Sequence, residues 1–316
     1  MRTVGIVDVT ARDGLQSEAA VVSTADKLAL IEATTAAGAR RIEVCSFVDP
    51  RRVPQMADAE AVVAGLAVDG PVRYSAVVLN ERGFERAAAA GLPEVNVVVV
   101  ATDTFSRKNQ GCDTERGVST ANAVAESARA AGISITVTVA CAFGCPYEGE
   151  VPAATVAEIG RRVVDGGVDE IALADTIGVA VPTDVTARLE EMTAVISSSG
   201  RRDVGLRAHL HNTRNTGLAN AVAAVAAGVD TLDASLGGIG GCPFAPKATG
   251  NVALEDLVYL LHRMGIATGL DLESLVGAVP LVERVVGGAV PGLVSKAGIF
   301  PPICAAPPTE GVARSR

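Results

Sequence analysis

Asn215-Thr216-Gly217-Leu218-Ala219-Asn220-Ala221-Val222-Ala223-Ala224-Val225-Ala226-Ala227-Gly228-Val229-Asp230-Thr231-Leu232-Asp233-Ala234-Ser235-Leu236 contains one complete unit of the fold. Residues 215–227 are Ala-rich with helical spacing, and 231–236 form a short run of strand length. Between them Gly228 supplies the left-handed residue that ends a helix and feeds a parallel strand. The same Gly junction occurs at Ala37-Gly38-Ala39 and Ala90-Gly91-Leu92.

Moving outward from this unit, Val- and Ile-rich runs bounded by Gly, Pro, Asp or Asn fall at 4–10, 41–47, 72–79, 94–101, 134–142, 170–175, 204–211 and 231–236. Helical segments alternate with them at 24–37, 82–90, 119–131, 154–165, 183–197 and 215–227. Eight strand–helix units predict a (β/α)8 TIM barrel. An open doubly wound sheet uses the same alternation, but no G-x-G-x-x-G follows the first strand. Two further helical patterns, 251–264 and 271–287, predict extra C-terminal helices. The barrel domain with these helices is expected over 1–300, and the Pro- and Ala-rich stretch 301–316 as a flexible tail.

The chain has 316 residues, 49% hydrophobic and 20% charged, enough apolar material for a large core. A net charge of −9 opposes a nucleic-acid surface and favours a small-molecule partner. Six cysteines, Cys45, Cys112, Cys141, Cys145, Cys242 and Cys304, are too scattered for a disulfide scaffold and read as cytoplasmic thiols. No signal peptide or membrane-length apolar run is visible, so a soluble protein without a membrane partner is expected.

Active sites of such barrels lie at the C-terminal ends of the strands, and polar residues collect at those positions. Strand one runs into Arg12-Asp13-Gly14-Leu15-Gln16, strand two carries Glu43 and Ser46, strand six ends at Asp175-Thr176, and strand seven ends at His209-Leu210-His211. His209 and His211 are two apart, so they share a face while Leu210 points away. That is ligand geometry, although two hydrogen-bonded core histidines would share the pattern. The third histidine, His262, sits in a late helix and reads as a surface residue.

Asp13 offers a charged oxygen across the mouth, or else a helix cap. Two imidazoles with oxygen donors and no thiolate suit Mg²⁺ or Mn²⁺. Arg12 would place a guanidinium where a carbonyl oxygen gains charge, its alternative being a surface ion pair. The glycines of Gly237-Gly238-Ile239-Gly240-Gly241 permit a tight loop that carries Cys242, which is otherwise a small buried apolar residue.

Arg12-Asp13-Gly14-Leu15-Gln16, Ile42-Glu43, Ser46-Phe47-Val48, Val53-Pro54-Gln55-Met56, Gly144-Cys145-Pro146-Tyr147-Glu148-Gly149, Asp175-Thr176-Ile177-Gly178-Val179 and Gly240-Gly241-Cys242-Pro243 together resemble the hydroxymethylglutaryl-CoA lyase family. The similarity runs from about residue 4 to residue 270. It implies a TIM barrel, an acyl-CoA substrate, a homodimer and a divalent metal held by Asp13, His209, His211 and Asn251. It further implies that Arg12 polarises the thioester carbonyl and that Cys242 takes part in proton transfer. Glu43, Gln16 and Asp8 would support the site, Asp175 would add a carboxylate, and Gln16 and Ser46 would contact substrate.

The implied reaction is retro-Claisen cleavage of 3-hydroxy-3-methylglutaryl-CoA to acetyl-CoA and acetoacetate. Ser17-Glu18-Ala19 stands where the family has Asn-Glu-Lys, Asn212-Thr213-Arg214 replaces an Asp-Thr-Tyr pattern, and Lys247 lies in the loop. These departures keep related branched thioesters open, citramalyl-CoA among them. Condensing synthases of the same logic read Arg-Asp-Gly-Glu-Gln at the start and carry a further C-terminal domain. Leu15 and the short C-terminus oppose that reading.

Overall fold

Strands buried on both faces need long apolar runs, and Glu94–Val100 illustrates the result: six of its seven residues are buried and Val98 partly so. A computed structural model describes residues 2–19, 21–241 and 250–301. Its strands are β1 (Gly5–Asp8), β2 (Arg41–Ser46), β3 (Arg73–Val78), β4 (Glu94–Val100), β5 (Ser134–Ala140), β6 (Glu170–Asp175), β7 (Gly205–Leu210) and β8 (Thr231–Ala234). All neighbours pair in parallel, and β1 pairs with β8 through Gly5↔Thr231 to Asp8↔Ala234, which closes the barrel in sequence order. The eight-stranded expectation is met.

The surrounding helices are α1 (Thr24–Ala36), α2 (Ala59–Ala64), α3 (Glu81–Ala89), α4 (Asp103–Gln110), α5 (Thr114–Ala131), α6 (Ala153–Asp165), α7 (Pro182–Ser198) and α8 (Gly217–Ala226). The extra C-terminal helices are α9 (Leu254–Arg263), α10 (Leu272–Val286) and the short α11 (Val294–Ala297). Gly38, Gly91 and Gly228 have φ of +100°, +84° and +95°, as the Gly junctions require. From residue 302 onward the expected tail lies outside the described residues.

Several strand ends differ from expectation, by one residue at the starts of β1, β3 and β7 and by up to two at the mouth. The run 4–10 yields a strand only to Asp8, because Thr10–Gly14 winds into a wide π turn. The run 231–236 stops at Ala234, and Leu236–Gly238 makes a tight turn with Gly237 at φ +73°. β7 ends at Leu210, so His211 stands just beyond the strand, held by a bridge to Asn251. Three helices are additional to those read from the sequence: α2, α4 and α11, six, eight and four residues long and too short for their periodicity to stand out. α5 begins at Thr114 rather than 119, because Asp113 accepts the Arg116 N–H and caps it.

The barrel interior is polar where such barrels are usually filled by branched apolar side chains. At its floor Arg41 binds Glu94 and Glu170, and Thr136 donates to Glu170. Above them lie Glu43, Asn96, Arg207 and Asp233, all buried. Among the described residues no helix is long and apolar enough to cross a membrane.

Candidate metal centre and active site

The π turn after β1 makes the site possible by rotating Arg12 and Asp13 over the barrel end. Asp8 holds that turn from below: its carboxylate accepts the Thr10 N–H at 2.9 Å and also the Thr10 hydroxyl. The Thr10 oxygen in turn accepts the Leu236 N–H at 2.7 Å, tying the turn to the end of β8. Asp8 thus shapes the turn without reaching the mouth.

Asp13, His209 and His211 bring their ligand atoms within 4.8 Å of one another. Asp13 Oδ2 lies 3.8 Å from Nε2 of each histidine, and the two Nε2 atoms are 3.1 Å apart. Asn251 donates from Nδ2 to Asp13 at 2.8 Å and to the Ile239 carbonyl at 3.1 Å, leaving its buried Oδ1 without a partner. The four residues expected to hold a metal therefore converge.

The donor set fits a divalent cation. Two imidazole nitrogens face one carboxylate oxygen, an unpartnered amide oxygen is at hand, and no sulfur is present among the described ligands. Next to the donor atoms two guanidiniums, Arg12 and Arg207, face three carboxylates, Asp13, Glu43 and Asp233, while Arg51, Arg52, Arg82 and Arg86 also line the cavity. Burial opposes ionisation of Asp13, yet Arg12 and then His209 and His211 hold its carboxyl well below the usual range. Burial also pushes His211 down, with His209 adding to the effect. His209 is raised against its burial by the hydrogen bond to Asp233 and then by Asp13.

Arg12 is fixed by Glu43 on one side and Asp13 on the other, which excludes the surface ion-pair alternative. Glu43 is fully buried on β2, and its second oxygen accepts from Asn96 Nδ2 at 2.7 Å. Ser46 donates to Gln16 Oε1 at 3.0 Å, placing both beside the mouth. Asp175 is turned elsewhere: its oxygens accept the N–H groups of Val179 and Ala180 at 2.9 and 3.0 Å, bracing the loop after β6. Cys242 and Lys247 lie outside the described residues. His262 is exposed on α9 and bonds Thr268, as expected of a surface residue.

Three site residues escaped the sequence reading. Asp233 on β8 sits 3.0 Å from His209 Nδ1 and accepts from Arg207, while Asn96 links Glu43 to the Thr138 hydroxyl. Strand parity carried a signal, since Arg207, His209 and His211 alternate onto one face. A cavity of about 770 Å³ opens above these groups, lined among others by Arg12, Asp13, Gln16, Asn96, Thr138 and His209.

A closed (β/α)8 barrel with a carboxylate–imidazole cluster and a buried arginine at its C-terminal mouth defines an enzyme of the metal-site TIM-barrel class. More narrowly, the chain belongs to the HMGL-like family, whose model matches residues 3–282, and it is a carbon–carbon lyase. It is 44% identical to the (R)-citramalyl-CoA lyase of Chloroflexus aurantiacus, covering 98% of this chain and 99% of that protein. It is 42% identical to the mitochondrial hydroxymethylglutaryl-CoA lyase of Rattus norvegicus over 88% of this chain and 84% of the relative. Among solved structures, the hydroxymethylglutaryl-CoA lyase of Acinetobacter baumannii in complex with coenzyme A and 3-methylmalate superposes with a TM-score of 0.89. It is 34% identical, with 96% of this chain and 98% of that one covered.

Proposed function

We propose that this protein cleaves 3-hydroxy-3-methylglutaryl-CoA to acetyl-CoA and acetoacetate in a retro-Claisen reaction that needs Mg²⁺ or Mn²⁺. The observation that carries this reading is the convergence of the Arg12 guanidinium with Asp13, His209 and His211 at one mouth. Asp13, His209, His211 and Asn251 would hold the ion. When bound, a divalent cation lowers the pKa of a coordinated hydroxyl and offsets negative charge.

The tertiary hydroxyl gives up its proton to a base, and its oxygen becomes the carbonyl of acetoacetate as the C2–C3 bond breaks. The bonding electrons pass to the thioester as an acetyl-CoA enolate. Arg12, clamped by Glu43, presents its guanidinium to that developing oxyanion. A proton from Cys242 to C2 completes acetyl-CoA. Gln16 and Ser46 are assigned to substrate contact and Asp175 to bracing the wall beside it. A homodimer acting in the cytoplasm completes the proposal.

A second reading, (R)-citramalyl-CoA, is favoured by the relative at 44% identity. That thioester is one methylene shorter and yields pyruvate in place of acetoacetate, with the same bond logic. Feeding each thioester to the metal-loaded protein and identifying the keto acid separates the two. Formation of neither keto acid would contradict the lyase assignment for both substrates.

A further inference from the structure

Arg207 is wholly buried inside the barrel, on β7 two residues before His209, with its side chain on the same inner face. Its Nε donates to Asp233 Oδ1, while the other Asp233 oxygen lies 3.0 Å from His209 Nδ1. Its Nη2 stands 3.9 Å from Glu43 Oε2, and Glu43 is the residue that clamps Arg12. Its Nη1 stands 3.7 Å from Glu170 Oε2, the carboxylate already bound by Arg41 from the floor. Neither Nη atom has a hydrogen-bond partner, so the fork spans three carboxylates while closing tightly on one.

We propose that Arg207 is a positioning residue that joins the two halves of the site, holding Asp233 against His209 and Glu43 against Arg12. This rests on the metal-centred lyase reading above. With Arg207 in place, one Asp233 oxygen is engaged and the other is left to accept from His209 Nδ1. The ring then carries a proton on Nδ1 and turns Nε2 toward Asp13 and His211. Carboxylate partners of this kind set both the tautomer and the plane of a ligating imidazole. On the other side the same guanidinium offsets the charge of Glu43, which is fully buried and would otherwise depend on Arg12 alone for a cation. Lysine cannot substitute in kind: it offers a point charge where three carboxylates approach a planar fork.

The chain has only three histidines, so the ring nitrogens of His209, His211 and His262 can be resolved individually by ¹H–¹⁵N correlation of histidine-labelled, metal-free protein. In wild type His209 is expected to keep Nδ1 protonated toward Asp233. In Arg207→Met the His209 signals should become a tautomer mixture, Mn²⁺ binding should weaken, and kcat should fall with KM little changed. The expected loss in metal affinity and in kcat is about ten- to a hundredfold each. A folded Arg207→Met variant with wild-type tautomer and wild-type Mn²⁺ affinity would overturn the proposal.

Should the methionine variant fail to fold, Arg207→Lys carries the test. The expected result is a tautomer mixture with Mn²⁺ affinity at least about tenfold weaker; wild-type values for both would equally overturn it. A merely structural role would lower the melting temperature and leave the tautomer alone. Because tautomer and Mn²⁺ affinity are read without any thioester, a protein that cleaves neither substrate would contradict the functional reading and leave this one standing.

Discussion

His209 Nε2 and His211 Nε2 stand 3.1 Å apart, each 3.8 Å from the same oxygen of Asp13. Two imidazole lone pairs do not rest at that distance without a proton or a cation between them. Adding Mn²⁺ to metal-free protein should therefore raise the melting temperature. At a hundredfold excess over Kd the stabilisation is about 2.7 kcal/mol. In His211→Ala the rise should disappear, and calorimetry with and without the ion reads both. An unchanged rise in that variant would remove His211 from the ligand set.

Arg12 touches Asp13 but is the residue proposed to meet the developing substrate charge, so its loss should act on turnover rather than on the ion. Arg12→Gln is expected to lower kcat by about 10²–10³, with Mn²⁺ affinity far less affected. Cys242→Ala should behave similarly, with turnover reduced and metal binding intact. Normal turnover in either variant contradicts the role given to that residue.

Gly240 has φ of +104°, and a Cβ there would lie 2.7 Å from both Asn251 Nδ2 and the Asp13 carbonyl. Gly240→Ala must therefore shift the Asn251–Asp13 pair as well as strain the backbone. The expected cost is about 1–3 kcal/mol of stability, accompanied by weaker Mn²⁺ binding. Equilibrium unfolding together with metal titration tests it, and an unaltered metal affinity would show that Asn251 is not held through this contact.

Much of this site was legible in the sequence because strand parity and strand ends are local properties. His209, His211, Asp13 and Arg12 each stand at a strand end, with Glu43 inside strand two, and a barrel brings all such ends to one mouth. What was not legible depends on contacts distant in sequence. Asp233 became a site residue only when β8 was placed beside β7, and Asn96 only through Glu43, 53 residues away. The strand ends at 4–10 and 231–236 were overextended because apolar residues continue into turns whose shape is set by Asp8, Thr10 and Gly237. Asp175 has the sequence position of an active-site carboxylate, but backbone N–H groups of its own loop occupy both of its oxygens.

Glu255 is fully buried on α9 beneath the turn that follows β8, where one oxygen accepts the Gly237 N–H at 2.9 Å. Burial pushes its carboxyl from 4.5 up to about 7, the Gly237 hydrogen bond opposing. An acid raised in the folded state carries no penalty below its unfolded pKa, where both states are protonated. Stability is then lost as pH climbs from about 4.5 to about 7 and stays lower above that, by on the order of 3 kcal/mol. Glu255→Gln should therefore gain melting temperature relative to wild type at pH 8 and little at pH 4. A difference between the two proteins that does not vary with pH would refute the assignment.

The central claim is a metal-dependent retro-Claisen cleavage, and it is tested most directly by incubating metal-depleted protein with 3-hydroxy-3-methylglutaryl-CoA, with and without Mg²⁺ or Mn²⁺. Acetyl-CoA and the keto acid are followed by mass spectrometry. The account predicts acetyl-CoA and acetoacetate in equal amounts only when the ion is present. Equal product without any ion would contradict the metal role, and no cleavage of this thioester by protein shown to bind the ion would contradict the substrate assignment.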